Sequence, residues 1–259
     1  KNVVKTAMTG KGAETFRDKF SDIIVDAVKQ IQENDNVDLN NIKIVKNKSY
    51  SIDDTKLIKG VVIDKERVNI DMPSKVNKAR IFLYSEALEI KNPDETKISV
   101  TNPGQLQEFM DREEKVLKDM VEKVKESEAN VIFCQKGIDD LAQHFLSKKG
   151  AFAVRRISQS DMEKLARATG AKIVTNLDDL SSEDLGSSGL VEAKRVGDED
   201  MTFVRECKGA KAVTLLIRGS TDHVVDEIKR AVEDSIGDLA AALTLGKVVA
   251  GAGATETEL

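Results

Sequence analysis

Asp234 and a glycine-rich segment that follows it are the residues whose types and spacing point most directly to chemistry. Asp234 lies on a predicted helix, and Gly251, Gly253 and Ala254 follow in a short turn of small residues. A carboxylate can orient or deprotonate a water molecule, and a glycine turn lets a phosphate approach the backbone. The pair is typical of an ATPase site. Because the sequence contains no GxxxxGK[ST] phosphate loop, we interpret the pair as half of such a site.

Helix periodicity by itself leaves two interpretations of Asp234 open. The apolar stripe of its helix runs through Val225, Ile228 and Val232, and Asp234 lies on the opposite face with Arg230. The carboxylate is either a solvated surface group paired with Arg230 or a group that acts on a water attacking a phosphate. The spacing does not distinguish the two.

The elements around these residues form two kinds of pattern. Each end of the chain combines a strand with a long amphipathic helix, whereas residues 130–175 alternate strand, helix, strand, helix, strand. Short links in that order predict a parallel, right-handed unit, whose second helix is expected to begin with a capping box at Ser160–Glu163. We therefore predict a mixture of α/β and α+β folds, in which a discontinuous outer domain, residues 1–57 and 212–259, carries an inserted domain, residues 58–211.

A long charged helix is predicted over residues 105–128, with a thin apolar stripe that includes Leu106, Phe109, Met110 and Leu117. It could be a solvated coiled-coil arm, a membrane-surface helix or a segment that presents apolar side chains to a partner. Membrane binding is disfavoured because acidic residues outnumber basic ones there. We favour a projecting interaction element, although Phe109 and Met110 could equally pack on the base of the arm.

Composition excludes several other classes of function. A net charge of −5 and an aromatic content of 4% argue against nucleic-acid binding. The chain has no apolar run long enough to cross a bilayer, so we expect no membrane partner. Two distant cysteines and two histidines make a metal site improbable, and they fit a reducing, cytoplasmic setting. A small-molecule enzyme built on residues 130–175 is disfavoured because no cluster of titratable residues accompanies that unit.

Several collinear segments together resemble a group II chaperonin subunit, the family of the archaeal thermosome and its eukaryotic cytosolic relatives. The likeness covers the whole chain. It runs through Thr9–Glu14, Leu57–Lys65, Gln135–Asp139, Phe152–Arg156, Gly170–Asn176 and Ile217–Ser220.

The resemblance implies a chaperonin apical domain, a mixed sheet with flanking helices, inserted into a discontinuous intermediate domain. The charged helix falls where the family has its helical protrusion, at about residues 98–130 here, which serves as a built-in lid. The equatorial domain, which holds most of the nucleotide site in the family, is expected to lie outside these 259 residues.

The resemblance also assigns roles to individual residues. Asp234 matches the aspartate that activates the hydrolytic water in the family. Gly251, Gly253 and Ala254 match the Gly-Gly-Gly-Ala turn at the nucleotide, where Ala252 replaces the central glycine and could crowd the ligand. Lys11 matches a loop lysine that senses the γ-phosphate.

The resemblance predicts an ATP-dependent protein-folding chaperonin subunit that uses ATP and Mg²⁺ when full length. Its expected partners are unfolded protein clients, with Leu106, Phe109, Met110 and Leu117 as candidate contacts, and sister subunits in a double ring. We expect this chain by itself to bind no nucleotide tightly and to hydrolyse no ATP. The alternative is a module that holds unfolded proteins without ATP.

Overall fold

A computed structural model describes residues 1–10, 12, 14–33, 36–48, 51–90, 103–251 and 253–258. Its helices are α1 (Asn2–Met8), α2 (Arg17–Ile31), α3 (Pro103–Glu126), α4 (Asp140–Lys148), α5 (Gln159–Thr169), α6 (Asp222–Leu245) and α7 (Ala254–Glu258). Its strands are β1 (Gln32–Glu33), β2 (Asn36–Val37), β3 (Ile42–Lys48), β4 (Lys56–Ile58), β5 (Gly60–Ile63), β6 (Lys75–Tyr84), β7 (Val131–Cys134), β8 (Phe152–Val154), β9 (Ile173–Val174), β10 (Gly186–Val196), β11 (Glu199–Arg205) and β12 (Val213–Gly219).

These elements form two compact units. Residues Lys1–Ile58 and Lys211–Leu259 make the first, which we call the terminal unit, and Lys59–Ala210 make the second, the central unit. Their assignment as intermediate and apical domains stays a prediction. None of the helices in the described ranges is both long enough and apolar enough to pass through a bilayer.

The terminal unit is built on a sheet in the order β3-β12-β4, in which β12 runs parallel to β3 and antiparallel to β4. β12 is central and buried on both sides, as its run Val213–Ile217 predicts. α1, α2 and α6 bury their apolar faces in one core with this sheet, through side chains such as Met8, Phe20 and Ile228. This packing leaves the opposite face of α6 exposed.

Thr221 is the N-cap of α6. Its hydroxyl accepts the backbone N–H of Val224 at 3.3 Å, and the helix ends at Gly246, whose φ of 65° is left-handed. The Thr221 oxygen at the N-cap accepts a backbone N–H that the helix leaves unpaired, and the left-handed glycine at the C-cap lets its own N–H donate to the Ala242 carbonyl. The 24 residues of α6 therefore form one continuous helix that carries Asp234 near its middle.

The central unit contains a sheet of seven described strands. β5, β11, β10 and β6 pair antiparallel, and β6, β7 and β8 pair parallel, with β9 added beside the end of β6. The parallel unit predicted for residues 130–175 is present. However, β9 pairs with β6 and not with β8, because the connection through α5 passes over both β7 and β6.

Gly60 interrupts one strand run, and one expected helix cap lies elsewhere. The run Leu57–Ile63 is two strands and not one, because Gly60 takes a φ of 141° and lies so close to the Val204 carbonyl that a Cβ would come within 2.1 Å of its oxygen. The capping box expected at Ser160–Glu163 is not formed. The N-cap of α5 lies two residues earlier, where the hydroxyl of Ser158 accepts the N–H of Asp161 at 3.2 Å.

The charged helix spans Pro103–Glu126, close to the predicted 105–128. Its second half packs by Leu117, Val121 and Val124 into a core that also contains Ala142 and Leu146 of α4. Its first half is more exposed. The mixed α/β and α+β class predicted from the sequence is confirmed by this arrangement together with the structural match described below.

Candidate functional site

Asp234 is exposed on α6, while Ser235 and Ile236 beside it are buried. The helix is fixed by its apolar face, since Ile228 and Val232 are each 1% exposed. The carboxylate is therefore carried on a rigid, packed element and still reaches solvent. Such a group can accept a proton from a water molecule, or orient the water molecule by a hydrogen bond.

Ion pairs to β3 hold the first turns of the same helix. Lys46 Nζ lies 2.7 Å from Asp226 Oδ1, and Lys48 Nζ lies 3.0 Å from Asp222 Oδ2. The hydrogen bond from Lys46 keeps the pKa of Asp226 below its ordinary value. These exposed pairs each add little stability, so the buried apolar face remains the main anchor of α6.

The glycine turn comes after the end of α6. About 16 Å of helix separate the position of Asp234 from Leu245, at 1.5 Å per residue. Gly251 and Gly253 lie in an exposed turn, and the N–H of Ala254 donates to the Gly251 carbonyl at 3.3 Å as α7 begins. Ala252, the departure from the family pattern, lies outside the described residues.

Gly251 and Gly253 differ in why glycine is present. Gly253 has a φ of 78°, which residues with a side chain rarely adopt. At Gly251 the backbone is ordinary, and an added Cβ would have no described heavy atom within 4 Å. Neither turn geometry nor packing within the described chain therefore requires glycine at 251.

Lys11 also lies outside the described residues, but Gly10 and Gly12 on either side are described. The N–H of Gly10 donates to Glu14 Oε2 at 3.2 Å, and the N–H of Gly12 donates to Glu227 Oε1 at 2.8 Å. The second bond joins residues 215 positions apart and brings this loop onto α6. Sequence reasoning missed Glu227, since nothing in the local pattern of either segment indicates the contact.

The four candidate client contacts on α3 do not share one environment. Met110 is 55% exposed and Phe109 is half-buried. Leu117 is 1% exposed within the core of the central unit, so its side chain is closed to a client in this structure and is withdrawn from the candidate surface. The side chain of Leu106 is outside the described part. Val116 and Leu141, which were not singled out, are 44% and 47% exposed.

Comparison with known proteins identifies the family. The sequence model of the TCP-1/cpn60 chaperonin family matches residues 1–259. The chain belongs to the TCP-1/cpn60 chaperonin family. This confirms the resemblance inferred from the segments between Thr9 and Ser220.

Archaeal members of this family are similar over the entire chain. A thermosome subunit of Methanopyrus kandleri is 55% identical over 264 residues, covering 100% of this chain and 48% of that protein. A thermosome subunit of Methanocaldococcus jannaschii is 55% identical over 262 residues, with the same coverage of 100% and 48%. The chain thus spans about half the length of the curated chaperonin relatives it matches.

A solved chaperonin structure has the same fold. The open-state monomer of a group II chaperonin from Methanococcoides burtonii matches with a TM-score of 0.80 and 43% identity, over 99% of this chain and 59% of that one. The chaperonin fold expected from the sequence is confirmed by this match.

Proposed function

We propose that this chain supplies the client-binding, lid and water-activating parts of an ATP-dependent protein-folding chaperonin subunit. In this proposal the terminal unit is the intermediate domain, and the central unit is the apical domain with its helical protrusion at about 98–130. Membership of the chaperonin family and the likeness to a group II chaperonin monomer support it. Sister subunits in a double ring and unfolded polypeptides are the partners that it requires, and its setting is the cytoplasm.

The observation that carries the catalytic part is the exposure of Asp234 on a helix whose other face is buried. We assign to Asp234 the orientation and deprotonation of the water that attacks the γ-phosphate of ATP. A general base of this kind contributes about 10²- to 10⁴-fold to a rate. Its carboxylate must be accessible to solvent before nucleotide binds, and Asp234 lies on the exposed face of α6.

The ligands for Mg²⁺ are assigned to other parts of the full-length subunit. Within the described ranges, no three His, Cys, Asp or Glu side chains are grouped as a metal site requires. Mg²⁺ at a nucleotide usually needs only one or two carboxylates together with phosphate oxygens, so this finding concerns an all-protein site, and we derive no step through the metal. Gly251 and Lys11 are proposed to lie near the phosphates, with Gly253 and Ala254 shaping the turn.

The client surface is proposed to centre on Met110, with Phe109 beside it. Unfolded chains expose apolar side chains, and an exposed methionine on a charged helix adapts its shape to many of them. Leu106 belongs to the same predicted stripe and stays a candidate by sequence. Val116 extends the exposed apolar surface along α3.

Replacement of Asp234 in the full-length subunit tests this function. Asp234→Ala should lower kcat for ATP hydrolysis by about 100-fold or more and change the Kd for ATP by less than about threefold, because the carboxylate acts in the chemical step. Glu233→Ala, which removes a neighbouring exposed carboxylate paired with Lys229, is the matched control and should retain turnover. Unchanged kcat in Asp234→Ala would return Asp234 to a surface role.

A second candidate is a module that holds unfolded proteins without ATP. The exposed Met110, Val116 and Leu141 favour it, since they are available without any nucleotide-dependent change. Aggregation of a denatured client, measured with the full-length subunit with and without ATP, separates the two candidates. Equal suppression of aggregation and no ATP-dependent refolding would support the holding module, whereas refolding that requires ATP supports the chaperonin function.

A further inference from the structure

The loop between α1 and the turn at Glu14–Phe16 is anchored on both sides in the terminal unit. Before the loop, Val4 and Met8 of α1 are fully buried in the core that also contains α6. After it, Glu14 turns back and accepts the N–H of Gly10 at 3.2 Å. Gly10 itself has a φ of 75°, so the chain reverses direction there at little conformational cost.

The described centre of this loop is held by a carboxylate from a distant part of the sequence. Glu227 Oε1 accepts the N–H of Gly12 at 2.8 Å. A Cβ on residue 12 would lie 2.3 Å from the same oxygen and 2.5 Å from Glu227 Cδ. The contact in this geometry depends on the absence of a side chain at residue 12. It is a charge-assisted bond to a backbone donor, a strong class of hydrogen bond.

Glu227 and Asp234 belong to the same face of α6. Seven residues advance a helix by about 10 Å and turn it about 20° short of two full turns. Both side chains are exposed, while Ile228 and Ser235, which follow each of them, are buried. The carboxylate that holds the loop and the proposed catalytic carboxylate therefore project in nearly the same direction from one rigid element.

We propose that Glu227 is a positioning residue that fixes the backbone at Gly12 on the Asp234 face of α6. Gly12 and Asp234 then keep a set relation to each other, because both are held on α6. This inference rests on the function proposed for Asp234. Glu227 acts through the loop and touches no reacting atom.

The first test measures the bond itself in the 259-residue chain, with glycines labelled with ¹⁵N and amide hydrogen exchange followed by NMR. Glu227→Ala should speed exchange at Gly12 by about five- to tenfold, as expected for loss of a partly screened charge-assisted bond. Gly10, which is held by Glu14, should not change. Glu14→Ala should give the opposite pattern, and Glu227→Gln, which keeps an acceptor oxygen, should preserve most of the protection at Gly12.

Gly12→Ala should remove the bond between residue 12 and Glu227 in a second, independent way. Its methyl group would displace the Glu227 carboxylate, the mobile end of a flexible exposed side chain, so the chain should stay folded while the bond is lost. In the uniformly ¹⁵N-labelled chain, adding Glu227→Ala to Gly12→Ala should hardly change the exchange rate of the residue-12 amide, because Gly12→Ala has already removed the bond. Additive effects would show that the two residues are independent and would overturn the proposal.

The second test uses the full-length subunit. Glu227→Ala should lower kcat for ATP hydrolysis about fivefold or more with less than a twofold change in the Kd for ATP, and Glu227→Gln should restore at least half of the activity. In an Asp234→Ala background, Glu227→Ala should have little further effect. A purely structural role would not give this division between kcat and binding, nor the rescue by glutamine.

The outcomes separate this inference from the proposed function. If Asp234→Ala lowers kcat but Glu227→Ala does not, the positioning role is wrong and the function of Asp234 stands. If Glu227→Ala leaves Gly12 exchange unchanged, the bond does not hold the loop and the inference is again wrong. If Asp234→Ala itself leaves kcat unchanged, the proposed function fails, and with it the kinetic meaning of the bond.

Discussion

The hydroxyl oxygen of Thr55 accepts the backbone N–H of Arg218 at 3.1 Å, joining two residues 163 positions apart in the sequence. Thr55 is 1% exposed and lies one residue before β4. The pairing of β4 with β12 ends at Lys56 opposite Leu216, so the hydroxyl extends this ladder by one more acceptor. A side chain therefore completes the hydrogen bonding of the central strand where the edge strand stops.

Thr55→Val should destabilise the terminal unit because it leaves the Arg218 amide without this acceptor in a buried place. The expected loss in the free energy of unfolding is about 1–3 kcal/mol. Urea denaturation of the 259-residue chain followed by circular dichroism measures it. Thr55→Ser keeps the hydroxyl and should lose distinctly less, and a Val variant as stable as the Ser variant would contradict the role of this bond.

Asp184 should make the central unit sensitive to acid. The ammonium of Lys172, 2.8 Å away, and the hydroxyl and backbone N–H of Ser181 lower the pKa of Asp184 to about 2. The ordinary pKa of aspartate is about 3.9, so the carboxylate contributes stability that is present above about pH 4 and is lost as the pH falls towards 2. This stability comes from the negative charge of the Asp184 carboxylate, and an asparagine at this position would have no such charge.

Comparison of the native chain with Asp184→Asn across pH tests this dependence. The native chain should have the higher urea midpoint between pH 5 and pH 7, and the difference should shrink between about pH 4 and pH 2. A difference that stayed constant down to pH 2 would show that the ion pair and the Ser181 bonds do not lower the pKa of Asp184.

Gly251 and Gly253 should respond differently to alanine. Gly251→Ala should leave the stability of the 259-residue chain within about 0.5 kcal/mol of the native value, because no described atom opposes the methyl group. Gly253→Ala should lose about 1 kcal/mol or more, because its φ of 78° strains a residue with a side chain.

In the full-length subunit, Gly251→Ala should affect the Kd for ATP more than Gly253→Ala does, the reverse of their order in stability. We expect Gly251→Ala to raise the Kd for ATP at least about threefold if a phosphate approaches that turn. Gly253→Ala serves as the control for a general loss of order. A Gly251→Ala subunit that binds ATP normally would remove Gly251 from the proposed nucleotide site.

Met110 should contribute to client binding. Met110→Glu should reduce suppression of aggregation of a denatured client by about twofold or more, since a charge on an exposed apolar contact costs desolvation when the client binds. Ile70→Glu is the matched control, because Ile70 is 81% exposed in the same unit but is not part of α3. Equal losses in the two variants would indicate nonspecific adhesion rather than a client surface on α3.

Much of the fold follows from local patterns. The apolar stripe and the cap at Thr221 define α6, and the alternating elements from Asn130 to Thr175 predict the parallel strands β7 and β8. These features depend on residues a few positions apart, whose spacing is visible in the sequence. The match to the chaperonin family then relates these elements to a known fold.

The features that sequence reasoning missed depend on long-range contacts. Leu117 and Met110 belong to one apolar stripe, and only packing against α4 divides the stripe into a buried and an exposed half. The break at Gly60 requires the Val204 carbonyl of a strand that comes much later in the chain. The bond between Gly12 and Glu227 is of the same kind, so a glycine and a glutamate that each look ordinary in sequence acquire a shared role.

The pairing of β3 with β12 has a consequence for the order in which the chain folds during synthesis. β3 leaves the ribosome before the central unit, but its parallel partner, from Val213 opposite Ile42 to Gly219 opposite Lys48, is made only after Lys59–Ala210 have been added. At 5–20 residues per second, β3 waits roughly 8–30 s with that edge unpaired. The described strands of the central unit, β5 to β11, are all made before β12, so its sheet is free to form first. A protein of a folding-assistance family therefore has to pass through a stage in which its own β3 edge is open to aggregation.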